Sequence, residues 1–130
     1  MTEQPLSKSF NLEERTAKFG ENIIDLCRRV REDAVSKSII SQIVRSSTSV
    51  GANYMEANCA SSKKDFRNKI FICKKEAQET KHWLRMLNKL VPNESEVINK
   101  LHREAHELVL IFQKISSSLK IENCLHLFFP

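Results

Sequence analysis

Two stretches of the chain place histidine near carboxylate at helical spacing, the residue types that hold metals or move protons. "HREAH" sets His102 and His106 one helical turn apart, a spacing that can share a metal ion when a third ligand joins. Its glutamate stands at the wrong place for an H-E-x-x-H site and no third ligand follows, so both histidines read as solvent-exposed side chains. Glu79 and His82 form a single E-x-x-H, whereas a di-iron bundle uses two such pairs and two further glutamates. The chain has no glycine-rich phosphate loop, no nucleophile elbow and no cysteine–histidine pair with a local signature. No catalytic residue, metal or cofactor is therefore expected, and the chain reads as a non-enzyme.

Charge offers a stronger candidate. Residues 61–91 carry nine basic side chains against three acids, while the rest of the chain carries twelve bases and thirteen acids. The net charge of +5 thus belongs to one segment. Lys64, Asn68, Phe71, Lys75, Gln78, His82, Arg85 and Lys89 follow one another at steps of four and three, with Arg67, Lys74 and Lys81 beside them. On a helix this is one polar band. A charged helix face is usually just solvated, but such a face mixes signs, and this one repels itself. A phosphate backbone would neutralise it. The candidate phosphate contacts are Lys63, Lys64, Arg67, Lys74, Lys75, Lys81, Arg85 and Lys89. Phe71 within the band could stack on a base or pack against a neighbouring subunit, and packing is the favoured reading because aromatics are enriched at interfaces.

The elements that would position these residues are helices. Two glycines and three prolines in 130 residues leave too little turn chemistry for an all-β fold. Asn11, with Glu14 three residues on, opens a first helix whose apolar face runs from Leu12 through Phe19, Ile23 and Leu26 and ends near Glu32. A second face holds Ile40, Ile43, Ser47, Val50, Tyr54 and Ala57. Ser62 caps a third, with Phe66, Ile70, Cys73, Ala77, Thr80, Leu84, Leu87 and Val91 in the most regular heptad of the chain. "VPNESE" stops that helix and starts a fourth, with Asn93 as the expected cap and a face from Val97 to Leu119. The connections are short, so neighbouring helices should run antiparallel. The expected fold is all-α: an antiparallel up-down-up-down four-helix bundle over residues 11–119, a flexible leader at 1–10 and an apolar tail at 120–130. That tail could fold back on the bundle or dock on another subunit.

Within the second helix, Ser47 and Gly51 share a face, where small residues let two backbones approach closely. Asn53 and Glu56 border apolar positions, and Glu76 and Glu79 lie on the third helix on a second face with Ile72, Trp83, Met86 and Leu90. That face is either a broad core stripe or a subunit interface. Buried polar groups need partners, so Asn53, Glu56, Glu76 and Glu79 are expected in hydrogen bonds and ion pairs with Arg45 among the donors. Breaking a buried pair would cost about 3–5 kcal/mol.

No apolar run approaches the ~18 residues of a membrane span and no signal-peptide core opens the chain, so a cytoplasmic protein with no membrane partner is expected. Cys27, Cys59, Cys73 and Cys124 show no C-x-x-C pairing and read as reduced thiols.

"RSSTSVGANYMEA", then "SSKKDF", then "KKEAQETKHWL" together resemble the bacterial four-helix-bundle proteins encoded in intervening sequences of 23S ribosomal RNA genes. The wider group includes the accessory variability proteins of diversity-generating retroelements. The resemblance spans about residues 12–118 and rests most on Arg45, Ser49, Asn53, Glu56, Ser62, Asp65, Phe66, Glu76, Glu79, Thr80 and Trp83. It implies a ring-shaped homopentamer and, in the retroelement branch, a basic surface that contacts nucleic acid and a reverse transcriptase. It implies no catalytic residues, and nothing is carried over to the tail from Ile121. Two function classes follow: an oligomeric accessory protein on RNA or DNA, or an interaction scaffold whose basic band meets an acidic protein.

Overall fold

The computed structural model describes the backbone of residues 11–128 and the side chains of residues 11–119. The leader at 1–10 and the side chains of the apolar tail lie outside the described residues. Four helices make the fold: α1 (Leu12–Arg28), α2 (Ala34–Asn58), α3 (Lys63–Leu90) and α4 (Ser95–Phe128), with a 3-10 turn at Pro92–Glu94. No strand occurs among the described residues.

Local chemistry sets the boundaries. Asn11 Oδ1 accepts from the Glu14 amide at the start of α1, and Ser62 Oγ accepts from the Asp65 amide at the start of α3. The first helix stops at Arg28, four residues short of the expected end. Asp33 is the reason. It caps α2 by accepting from the amides of Val35 and Ser36 at 3.0 and 2.9 Å, while its own amide donates to Ser36 Oγ. The extended backbone this requires at Asp33 cannot continue a helix. Asn93 does not cap the fourth helix: Pro92 enters a 3-10 turn with no side-chain cap bond, and α4 begins at Ser95.

Every seam between neighbours is antiparallel. Gly20 approaches Thr48 and Gly51 approaches Thr16 across α1–α2. Lys69 at the start of α3 meets Glu56 at the end of α2 at 2.8 Å. Arg15 of α1 binds Glu104 of α4 through two bonds of 2.8 Å, while Arg29, just past the other end of α1, binds Glu94 in the 3-10 turn before α4 at 2.8 Å. Each helix packs on two others in a closed four-membered cycle, and α1 and α4 touch least. The core fills the middle, with Phe19, Ile23, Ile43, Ile70, Leu84, Leu108 and Phe112 among its fully buried side chains. Ile98 and Val109 are buried as well, outside the expected α4 face, because that helix must satisfy α3 on one side and α1 on the other. Burial pushes the Cys27 thiol up to about 11 and the Cys73 thiol up to about 12, so both sit in the core as protonated thiols.

A hydroxyl pair crosses the α2–α3 seam. Ser46 Oγ and Thr80 Oγ1 are 2.8 Å apart and fully buried, and Thr80 Oγ1 lies 2.8 Å from the Glu76 carbonyl. Thr80→Val keeps the shape but leaves Ser46 Oγ only its long 3.4 Å bond to the Ile43 carbonyl, and should cost about 1–3 kcal/mol. Adding Ser46→Ala should restore most of that loss, because no buried hydroxyl is then left alone. Chemical denaturation of the single and double variants checks this; a double variant no more stable than Thr80→Val would show that the pair is not the cause.

Candidate nucleic-acid interface

The band on α3 faces solvent along its whole length. Lys64, Asn68, Phe71, Lys75, Gln78, His82, Arg85 and Lys89 are all exposed, and Phe71 keeps 60% of its surface open. The heptad positions behind it, from Ile70 to Leu87, are buried. The helix's three acids stay out of the band. Asp65 sits in the first turn, beside the Ser62 cap. Glu76 and Glu79 turn toward α2, where Arg45 takes both, Glu76 at 3.1 Å.

The basic residues divide into held and free. Lys69 is drawn to Glu56. Lys74 donates to Gln113 Oε1, and Lys81 donates to His106 Nδ1 at 3.0 Å, both partners coming from α4. Among the described residues no ion pair involves Lys63, Lys64, Arg67, Lys75, Arg85 or Lys89. The polar face therefore continues across the seam onto α4, where His102 is half-buried and not simply exposed, as the sequence suggested. Burial lowers the His102 pKa, and the charges of Lys81 and His106 lower it further. The histidines' spacing was visible in the sequence; their contact with Lys81 needed the rotation of α4 about its axis.

The polar residues of the opening motif split into two groups. Arg45, Glu76, Glu79 and Trp83 come together: Trp83 Nε1 donates to Glu79 Oε2 at 3.0 Å, and Arg45 is held in turn by Gln42. Asn53 and Glu56 stand apart from Arg45. Asn53 Nδ2 donates to the Ser49 carbonyl within its own helix at 2.8 Å, and Glu56 serves Lys69. Glu76 is buried, but Arg45 remains 46% exposed. Solvent then screens the pair, and the cost of breaking it falls well below that of a fully buried one. Glu79→Ala should lower stability by about 1 kcal/mol, read by thermal denaturation; a loss of several kcal/mol would show that the carboxylate is buried in the native assembly.

A groove of about 410 Å³ runs between α1 and α2, lined by Glu13, Glu14, Gly20, Glu21, Ile24 and Met55 among others, with no basic side chain. It is not a place for an anion. Among the described residues no group of three or more His, Cys, Asp or Glu could hold a metal ion, and no helix is long and apolar enough to cross a membrane.

Comparison with known proteins follows the same architecture. The family model described as 23S rRNA-intervening sequence protein matches residues 8–114. A crystal structure of a protein with unknown function from the S23 ribosomal protein family of Bacteroides thetaiotaomicron VPI-5482 superimposes with a TM-score of 0.70 at 32% identity, covering 80% of this chain and 96% of that one. No curated protein matches the chain.

Proposed function

The chain belongs to the 23S rRNA-intervening sequence protein family, and from that premise we propose that it is an oligomeric basic scaffold on RNA with no chemistry of its own. One observation carries the reading: a full-length helix face whose Lys64, Lys75, Arg85 and Lys89 are exposed and unpaired among the described residues. Several uncompensated cations on one rigid helix are what a phosphate backbone binds, and they have no role in holding the bundle together. Affinity for RNA across a salt series tests the reading. If RNA fails to bind, an acidic protein becomes the partner of choice.

The assembly proposed is a ring-shaped homopentamer. Ile72, Trp83 and Met86 are only half-buried within one chain, and Leu90 keeps 37% of its surface open. This support is compatible with a subunit contact along the second face of α3, with Phe71 of the band as a further contact. A ring would set several basic faces on one strand, which raises effective concentration and hence avidity. Native mass spectrometry at micromolar protein should show the pentamer; monomer alone would remove the ring from the reading.

A further inference from the structure

The α3–α4 seam collects cations and excludes carboxylates. Lys74 and Lys81 reach it from α3, where Gln113 and His106 of α4 meet them, and the Lys81 charge also acts on His102. The acids of this stretch of α4 are used on the opposite side. Arg15 of α1 binds Glu104 at 2.8 Å and Glu107 at 3.5 Å, so neither is paired to the lysines among the described residues.

We propose that this seam is a proton-responsive phosphate subsite of the basic face, in which His102 and His106 take up protons as an RNA phosphate seats against Lys81. The inference rests on the RNA-scaffold reading and adds its regulation. In the free protein the Lys81 ammonium donates to the neutral Nδ1 of His106 at 3.0 Å. A protonated His106 cannot accept that bond. Two cations would then face each other with the ring of His102 close by, and an anion that accepts from both relieves the repulsion. His102 responds in the same sense. Its pKa is held down by burial and by the charges of Lys81 and His106, and a phosphate offsets those charges.

The sign follows from linkage. A group whose pKa is higher in the complex than in the free protein takes up a proton on binding, so affinity rises as pH falls. Lys81 is the charged neighbour of both histidines, Lys74 reaches Gln113 across the same seam, and the α4 acids Glu104 and Glu107 are held by Arg15 of α1. His82 is exposed in the band itself and is kept unchanged in all the proteins compared below.

The experiment is fluorescence anisotropy with a labelled duplex RNA at constant ionic strength, at about pH 8 and about pH 6, the range in which imidazole titrates. The wild type should bind about tenfold tighter at the lower pH, and the His102→Gln/His106→Gln variant about threefold or less. His106→Gln alone, at an exposed position, should fall between them and serves if the double variant folds poorly. RNA binding with the same pH ratio in wild type and variants would overturn the inference and leave the scaffold reading standing. No RNA binding by the wild type at either pH would overturn both.

Discussion

Glutamine in place of Lys64, Lys75, Arg85 and Lys89 is expected to flatten the salt dependence of RNA binding and leave the bundle intact. All four are exposed and lie outside the buried heptad, so stability should stay within about 0.5 kcal/mol per site. Each phosphate contact releases counterions, with a log–log slope near −0.9 on duplex DNA. Four contacts therefore contribute about 3–4 units of slope, or roughly a hundredfold in affinity between about 50 and 200 mM salt. The wild type should lose that much more over the interval than the variant. Binding should also depend little on sequence, because phosphate contacts carry no base information. Equal slopes for the two proteins would show that these side chains do not touch the nucleic acid. The absence of any binding near 50 mM salt would turn the band toward an acidic protein partner.

Gly51→Leu should destabilise the bundle at the seam between its first two helices. A Cβ at Gly51 would lie 3.3 Å from Thr16 Oγ1 and 3.5 Å from the Thr16 backbone. Thr16 cannot easily yield, since it is buried and its hydroxyl is bonded to the Leu12 carbonyl at 2.7 Å. The rest of a leucine side chain must then push α1 from α2 or turn out into the groove that Gly51 itself lines. The first helix packs only lightly on α4, so α2 is its main support, and Phe19, Ile23 and Leu26 would be loosened with it. Overpacking of this kind costs about 1–3 kcal/mol; near the upper end, melting would drop by roughly 10 °C. Gly51→Ala is the informative control. Alanine gains about 1 kcal/mol in helix propensity and meets only the tight contact, so its stability should stay within about 1 kcal/mol of wild type. A leucine variant that melts like the wild type would mean that the two helices are not in close approach at Gly51.

The helices were legible because their signals are local. Asn11 and Ser62 cap where their spacing to Glu14 and Asp65 says they should, and the heptad from Ile70 to Leu87 is buried as its period requires. The errors were local as well. Asp33 and Ser36 form a capping box with serine in the place usually held by glutamate, which concealed the end of the first helix. Pro92 diverted the expected Asn93 cap into a 3-10 turn. The exposed band on α3 was equally visible, since a period of three and four fixes which side chains share a face.

What a period cannot fix is the neighbour that each face meets. The sequence by itself determined an all-α chain, its four helical segments, the buried heptad of the third and the concentration of positive charge on that helix. Only the tertiary structure decided that Gly51 lies against Thr16, that Arg45 takes Glu76 and Glu79 while Asn53 and Glu56 go elsewhere, and that His106 meets Lys81. The physical reason is one of range. Caps and faces depend on residues within one turn of the same helix, whereas these contacts depend on the rotation and axial offset of two helices, set by the packing of the whole core.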